Sequence, residues 1–462
     1  MSAVRKHINE VQAVYFIGIG GIGMSAIARY FLSLGKKVSG YDRTETAITS
    51  QLEQEGISIH YNEDLDLIPK EVDYVVYTPA IPRDHKELLF YQEGGYAVVK
   101  RSDILQVISE GSFNICVAGT HGKTTTSTMV AHLLRHSGYG CNAFLGGISA
   151  NYGTNFWSSD NNVCVIEADE YDRSFLKLSP DVAVITATDA DHLDIYGTEA
   201  NVKDAFRQFA AKIKQGGLLL KKLGLEQEII ADRTLSYSIQ ADTADVQATN
   251  IRVHDGGYSF DAVLPGNKIT DIRLNMGGMH NVENMMAAIG VANDLAIESG
   301  KIKNAVASFK GVKRRFEYII NQNDLVFIDD YAHHPEELKA LINGVKTVFP
   351  GKRCTLIFQP HLFTRTRDFA AAFAEVLGGV DSVVLLPIYP ARELPIDGVT
   401  SNMVLENVQL ENKSLYTREQ LLHWMETAFS VNRNRELGEV LITAGAGDID
   451  KLVEPIKQIL IK

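Results

Sequence analysis

No apolar run in this chain approaches the roughly 20 residues a helix needs to cross a bilayer, which excludes a helical membrane span. The chain also lacks any basic excess. Its 45 lysines and arginines face 57 acids, for a formal net charge of -12. Such a surface excludes nucleic acid and anionic membrane as partners, while leaving room for a local basic pocket that takes a small anion. Cysteine is scarce. Cys116, Cys141, Cys164 and Cys354 are scattered without C-x-x-C spacing and sit mostly in apolar runs, so they read as buried free thiols rather than metal ligands or disulfides. The opening Met1–His7 lacks the apolar core of a secretory signal, which points to a cytoplasmic protein. With 45% hydrophobic and 22% charged residues over 462 positions, the composition is that of a globular protein of about three domains.

What the chain does contain is punctuated by glycine. The apolar run Phe113–Val117 predicts a buried strand, and Ser127–Leu134 has helical spacing of apolar residues. Between them lies Gly119-Thr120-His121-Gly122-Lys123-Thr124-Thr125-Thr126. Strand, glycine turn and helix make a phosphate cradle: backbone N–H groups and the helix dipole face the anion, Lys123 reaches the outer phosphates, and a Thr hydroxyl can hold Mg²⁺. The usual G-x-x-x-x-G-K-[ST] pattern would need Gly at position 117, which is Val, so this loop is the shorter G-x-x-G-K-T.

A second glycine signature opens the chain. Ala13–Ile17 reads as a strand, Gly18-Ile19-Gly20-Gly21-Ile22-Gly23 as a diphosphate turn, Met24–Leu34 as a helix and Lys37–Tyr41 as a second strand ending at Asp42. Asp42 lies 19 residues past the last glycine, close to the spacing of a ribose contact, and could equally be a strand-end turn residue. The geometry recognises a diphosphate, not a nicotinamide. Strands are also expected at Tyr74–Thr78 and Tyr96–Val99.

Elsewhere, apolar runs end in polar clusters, as expected where the carboxyl ends of strands line a ligand crevice. Val163–Ile166 leads into Glu167-Ala168-Asp169-Glu170, and Val182–Thr186 into Asp189-Ala190-Asp191-His192. Carboxylates and a His placed there can bind Mg²⁺ and order a phosphoryl group leaving ATP. Residues 235–275 alternate between turn signals and read as antiparallel hairpins of a side sheet. In Gly277–Ala288, His280 or Asn281 can cap a helix with Asn284 on its first turn, or the amides can read an adenine edge. After the basic, hinge-like Lys313–Glu317, four strands are expected at Val326–Ile328, Cys354–Phe358, Val383–Leu386 and Val440–Thr443. They deliver Asp329 to Pro335, Gln359 to Asp368, Pro387 to Glu393 and Ala444 to Asp448 to one edge. Arg365 and Arg367 suit a carboxylate or phosphate, or else surface salt bridges.

Taken in order, these motifs resemble the Mur ligase family over nearly the whole chain. Gly-Ile-Gly-Gly-Ile-Gly-Met-Ser, Gly-Thr-His-Gly-Lys-Thr-Thr-Thr and Phe-Gln-Pro-His with Thr-Arg-Thr-Arg are most similar to members that add L-alanine, the first residue of the peptidoglycan stem, to UDP-N-acetylmuramate. The resemblance implies an α/β fold of three domains: a Rossmann-like UDP-sugar domain (1–108), a central P-loop ATPase-like domain with a parallel sheet and a small antiparallel side sheet (109–318), and a Rossmann-like amino-acid domain (319–462). It implies ATP as co-substrate, Mg²⁺ as cofactor and an acyl-phosphate intermediate. The UDP-sugar would lie on Gly18, Gly20, Gly21, Gly23 and Asp42. ATP would lie on Gly119, Thr120, His121, Gly122, Lys123, Thr124, Thr125, Asn281, Asn284, Arg315 and Asp329. Thr124, Glu167 and His192 would serve the metal, and Tyr331, His333 and Arg365 the alanine. Lys123, His192 and His333 would carry the chemistry. The partners are then small molecules only, with no nucleic acid and no membrane, on a monomer or weak homodimer whose domains close over the substrates.

The chain departs from the family pattern at Ala187, where Asn is common, and at Leu362, where Arg often follows the His; no lysine stands out as a carbamylated metal bridge. Three other readings compete. A murein-tripeptide recycling ligase would need a larger pocket than the aromatic surroundings of Tyr331 and Phe363 suggest. A nicotinamide oxidoreductase leaves Lys123 and the acidic clusters without a role. A nucleotide-binding switch has no use for the arginine-rich third segment.

Overall fold

The expected strand–turn–helix starts are present in the computed structural model, which describes residues 6–189, 193–391 and 393–462. Ala13–Ile17 (β1) runs into the glycine turn and then into α1 (Ile22–Ser33), followed by β2 (Lys37–Tyr41). A parallel sheet of five strands results, in the order Ser58–His60, β2, β1, Tyr74–Tyr77, Val98–Lys100. The register Val14↔Val38 and Phe16↔Gly40 puts Val14, Phe16 and Val38 into one apolar cluster with Phe31 of α1. Helix α2 (Arg101–Ser109) follows the last strand of this sheet.

The second sheet is built around β3 (Phe113–Ala118), which feeds α3 (Lys123–His136), with β4 (Val163–Glu167) on one side and β5 (Val182–Ile185) on the other, all parallel. Its ten strands run in the order Asn267–Leu274, Gly257–Leu264, Val246–His254, Arg233–Ser238, Leu218–Lys222, β5, β3, β4, Asn142–Phe144, Phe156–Trp157. The hairpin expectation for 235–275 holds only from Val246 onward. Asp255 (φ 47°) and Gly256 (φ 78°) form a two-residue turn of the kind that reverses a strand tightly. Arg233–Ser238 instead pairs in parallel with Leu218–Lys222 and at Tyr237↔Val246, because its partners are reached through crossovers rather than a turn. Helix α4 (Met279–Asp294) starts earlier than the capping reading supposed, so His280 and Asn281 lie inside its first turn.

The third sheet contains the four expected strands. They include β6 (Leu325–Asp330), β7 (Arg353–Phe358) and β8 (Glu439–Ala444), in the order Glu317–Asn321, β6, β8, β7, Ser382–Leu385, Lys413–Leu415. All pairs are parallel except the first. Lys313–Glu317, expected as a basic hinge-like stretch, forms a tight turn. Arg314 and Phe316 take left-handed φ values of 61° and 48°, and the chain then continues as the antiparallel edge strand.

The chain divides into two compact units. One takes the residues up to Thr249 with Asp261–Thr270 and Glu283–Val306; the other takes Asn250–Phe260, Asp271–Val282 and Ala307–Lys462. In the first, the five-stranded and ten-stranded sheets share one apolar core: Tyr30 of α1 packs on Phe144 and Phe156, at ring centroid distances of 5.4 and 6.0 Å. The second unit has its own core, centred on Phe327, Ile357, Leu441 and the C-terminal helix residues Leu452 and Ile456. All four cysteines are free and buried, as their apolar surroundings predicted. Among the described residues, no helix is long and apolar enough to cross a membrane.

Candidate functional site

The first glycine turn is held from both sides. Gly18 and Ile19 donate their N–H groups to the Tyr41 carbonyl at 2.8 and 3.0 Å, and Gly20 N donates to Asp42 Oδ2 at 2.8 Å. Asp42 Oδ1 accepts the Thr44 N–H at 3.2 Å. Both carboxylate oxygens therefore take backbone N–H groups, and Asp42 braces the loop. Helix α1 begins at this loop with no side-chain cap and no acid in its first turn, leaving its N-terminal dipole to an anion.

The second loop explains its glycines by contact. At Gly119 (φ 139°) a Cβ would stand 2.1 Å from Thr186 Oγ1 and 2.8 Å from Ala187 N, so only glycine lets the loop lie on the end of β5. Gly122 (φ 82°) is the uncapped N-cap of α3, and a Cβ there would meet Asn284 Oδ1 at 2.9 Å. Thr120 N donates to the Ala187 carbonyl at 3.1 Å, and Thr186 Oγ1 donates to the His121 carbonyl. Position 187 thus supports the loop through its backbone, which an Ala supplies as well as an Asn. His121 lies in the open, 3.9 Å from Asp189. Thr125 is buried in the first turn of α3.

Around this cradle, charge is concentrated. Lys123 Nζ donates to the Gly119 carbonyl at 2.8 Å and pairs with Glu170 at 2.7 Å. Thr124 Oγ1 donates to Glu167 Oε1 at 2.9 Å, and Gly146 N to Glu167 Oε2 at 2.8 Å. Burial pushes the carboxyls of Glu167 and Glu170 above the usual range, with Lys123 pulling both back. Glu167 and Glu170 thus both lie under the influence of the Lys123 ammonium. Glu170 was not singled out from the sequence, because Glu167, Asp169 and Glu170 are chemically interchangeable on paper.

Asn284 therefore lies against the phosphate end of the loop. Asn281, one turn earlier on α4 and 2% exposed, donates its amide to the Gly277 carbonyl at 2.7 Å and holds the turn that starts the helix. His192, named for the metal and the acyl phosphate, lies outside the described residues, as do Asp191 and Arg392.

The second unit gathers another group of candidates. Asp329, at the end of β6 and 2% exposed, accepts Thr443 Oγ1–H at 2.6 Å and lies 3.7 Å from Arg314 Nε. Arg314 also reaches the Gly445 carbonyl and lies 3.6 Å from Asp450, so it, rather than Arg315, is the ionic partner of Asp329. Both guanidinium groups flank the Tyr331 ring, at 5.0 Å for Arg314 and 5.4 Å for Arg315. His333 Nδ1 is 2.9 Å from the Tyr331 carbonyl and 3.2 Å from Glu337, and its ring meets His361 at 5.9 Å. Arg365 Nη1 is 3.5 Å from His361 Nδ1, and His361 stacks on Tyr389 at 5.8 Å. The expected trio Tyr331, His333 and Arg365 is thus joined by His361 and Tyr389, bridged backbone to backbone. Arg367 takes the surface role, pairing with Asp368 at 2.7 Å, while among the described residues no carboxylate lies within ion-pair distance of Arg365. Leu362 (φ 70°) supplies a strained turn that sets the helix bearing Arg365.

Desolvation lowers the His333 pKa, so the imidazole is neutral near pH 7. Burial raises the Asp329 carboxyl to about 7, with Thr443 and Arg314 opposing. A carboxyl raised in this way costs stability when ionised, and the cost vanishes as pH falls from about 7 toward its unfolded value. Asp329→Asn keeps the Thr443 bond and removes the buried charge. It should stabilise the protein at pH 8 by on the order of 1–3 kcal/mol, and much less at pH 5. Denaturant midpoints at the two pH values check this; a gain that is equal or larger at pH 5 would contradict it.

Three family models match the chain in sequence: "Mur ligase family, catalytic domain" over residues 13–112, "Mur ligase middle domain" over 117–292 and "Mur ligase, glutamate ligase domain" over 314–447. A Cytophaga hutchinsonii protein named UDP-N-acetylmuramate–L-alanine ligase is 46% identical over 461 residues, covering 98% of this chain and 97% of its own length. A Porphyromonas gingivalis protein of the same name is 47% identical over 459 residues, covering 97% and 99%. Among solved structures, the UDP-N-acetylmuramate–alanine ligase of Thermotoga maritima superposes with a TM-score of 0.81 at 27% identity, over 98% of both chains. A murein peptide ligase of Psychrobacter arcticus shares the fold at TM-score 0.67 and 23% identity, over 97% of this chain and 98% of its own.

Proposed function

This chain belongs to the Mur ligase family, and from that premise we propose that it joins L-alanine to the muramoyl carboxylate of UDP-N-acetylmuramate with cleavage of ATP to ADP and phosphate. It is an amide-forming ligase of peptidoglycan precursor synthesis. The observation that carries the reading is the near-full-length identity of 46–47% to ligases of that name, on a chain whose first unit holds both a diphosphate turn and an ATP-type cradle.

In the first step a muramoyl carboxylate oxygen attacks the γ-phosphorus, the bond to the ADP oxygen breaks, and an acyl phosphate forms. Lys123 and the N-terminus of α3 hold the negative charge that builds on the transferring group. In the second step the alanine nitrogen attacks the acyl carbon, phosphate leaves with its bonding electrons, and the nitrogen loses a proton. We assign that proton to His333 Nε2, since Nδ1–H donating to the Tyr331 carbonyl fixes the tautomer and leaves Nε2 as a neutral acceptor. Arg365 would take the alanine carboxylate as a fork, with Tyr331 and His361 beside it. The sugar nucleotide would lie on Gly18, Gly20, Gly21 and Gly23, with Asp42 as their brace. ATP would lie on Gly119 to Thr125 and Asn284; Arg315 and Asp329 are proposed as further ATP contacts, and Asn281 sets the α4 turn.

Thr124 and Glu167 fit Mg²⁺: both offer oxygen, the carboxylate is partly withdrawn from water, and the two are within hydrogen-bond distance of each other. When bound, Mg²⁺ would spread the charge of the transferring phosphoryl group. We place the domain boundaries near 108/109 and 318/319; the second falls within the strand Glu317–Asn321. The working form is proposed to be cytoplasmic, and a monomer or weak homodimer.

Incubating the protein with UDP-N-acetylmuramate, L-alanine, ATP and Mg²⁺ should yield the amide, ADP and phosphate by mass spectrometry. Product with a tripeptide but not with alanine would move the assignment to recycling, and nicotinamide reduction would overturn the class. Arg365→Ala should raise KM for L-alanine by roughly 10- to 100-fold, the loss of one charge-assisted fork, with a smaller change in kcat. An unchanged KM in steady-state assays would remove Arg365 from the alanine pocket.

A further inference from the structure

Arg101 is on the wrong end of its helix. It is the first residue of α2, where the helix dipole disfavours a cation. What holds it there is contact with the diphosphate turn and with the acidic loop after β4. A Cβ on Gly23, the last glycine of the diphosphate turn, would stand 2.7 Å from Arg101 Nη1 and 3.2 Å from its Cδ, so the guanidinium lies against the N-terminus of α1. Its Nη2 reaches Asp169 Oδ2 at 3.5 Å, in the acidic loop after β4. Arg101, Ser102, Glu167, Asp169 and Ser174 line one crevice, so the same cleft presents a guanidinium and the carboxylate that fits Mg²⁺.

The crevice is built rather than incidental. Lys177 Nζ ties the next two residues of α2, donating to Ser102 Oγ at 2.9 Å and pairing with Asp103 at 2.6 Å. Between Asp169 and Lys177 the chain passes through Asp172 and Arg173, both with left-handed φ (54° and 60°), a strained passage that keeps the acidic loop against α2. The pairing of Arg101 with Asp169 is long for a fork, and both side chains are partly exposed, so the guanidinium can take a stronger anionic partner without losing a buried bond.

Resting on the ligase reading, we propose that Arg101 binds the muramoyl carboxylate of the sugar nucleotide and holds it at the entrance to the ATP cradle. That carboxylate must approach Glu167, Asp169 and the γ-phosphate, all negative, and a guanidinium between the diphosphate turn and Glu167 offsets the repulsion along that path. Arg101 forms and breaks no covalent bond; it positions the attacking oxygen.

The test uses the full chain with Arg101→Ala, Arg101→Met, which keeps the stem that packs on Gly23, and Arg101→Lys. Wild-type turnover is the control for the ligase reading itself; its absence would overturn that reading rather than this one. Calorimetric binding compares UDP-N-acetylmuramate with UDP-N-acetylglucosamine, which carries the same diphosphate and sugar but no lactyl carboxylate. The Ala and Met variants should bind UDP-N-acetylmuramate roughly 10- to 100-fold more weakly, bind UDP-N-acetylglucosamine as wild type does, and raise KM for the muramate more than that for ATP or alanine. Lys should restore part of the loss. Equal weakening toward both nucleotides would make Arg101 a diphosphate contact, and unchanged muramate binding by Met would remove it from the substrate; either result overturns the proposal.

Discussion

Lys123→Ala should eliminate turnover, lowering kcat by on the order of 10³ or more, because it removes the cation aimed at the transferring phosphoryl group. The same substitution carries a structural penalty that has to be separated from the catalytic one. Glu170, only 1% exposed, has Lys123 as its ion-pair partner at 2.7 Å. Deleting the cation of a buried ion pair costs up to roughly 3–5 kcal/mol. The penalty has a definite pH dependence. Burial already raises the Glu170 carboxyl, and losing Lys123 raises it further, so protonation relieves the buried charge and the deficit shrinks as pH falls. Lys123→Ala with Glu170→Gln should therefore recover most of the melting temperature at pH 8 while remaining inactive. ADP release within tenfold of wild type from that well-folded double variant would sink the assigned role of Lys123.

Gly119 and Gly122 were legible because a left-handed φ and a missing Cβ are local requirements, written into one residue each. Lys123 and Thr124 followed, since the first turn of a helix fixes where its side chains begin. The pairing of Glu170 with Lys123, and the choice of Arg314 over Arg315 for Asp329, were not legible. Each depends on which of two neighbouring side chains turns inward, and a residue-by-residue reading of Glu167–Glu170 or Arg314-Arg315 cannot rank them. Asp42 had the spacing of a ribose contact; that it also takes the Gly20 and Thr44 N–H groups is a matter of loop geometry and not of sequence distance. The three sheets were foreseeable from apolar runs ending in polar clusters. The parallel placement of Arg233–Ser238 was not, and neither was the strand Glu317–Asn321, although it pairs with β6 directly after it. Arg101 left no signal at all: a lone arginine at a helix start acquires meaning only when Gly23 and Asp169 are found on either side of it.

Glu167→Gln should produce the second large effect, a fall in activity of about 10²–10³ with a shift to much higher Mg²⁺ for half-maximal ADP release, while the fold stays nearly as stable. Two opposing terms argue for the small change in stability. Glu167 accepts hydrogen bonds from Thr124 Oγ1 and Gly146 N; a glutamine has one acceptor oxygen, so one of those donors loses its partner, at about 1–3 kcal/mol. Against that, burial raises the Glu167 carboxyl, so ionised Glu167 is itself a cost that the amide removes, most fully at alkaline pH. Activity has no such compensation. Mg²⁺ wants hard, charged oxygen, and the amide offers one neutral oxygen in place of the carboxylate's negative charge. A chelator should abolish ADP release by the wild type, and added Mg²⁺ should rescue Glu167→Gln only at concentrations well above those the wild type needs. The two readouts separate the possible roles of Glu167. A variant that melts early at every pH but keeps the wild-type Mg²⁺ midpoint would show that Glu167 merely fastens Gly146 to α3. A variant that melts normally and loses the midpoint would show that the carboxylate stands where a cation is needed, between the helix that holds the phosphates and the strand end that faces the attacking group.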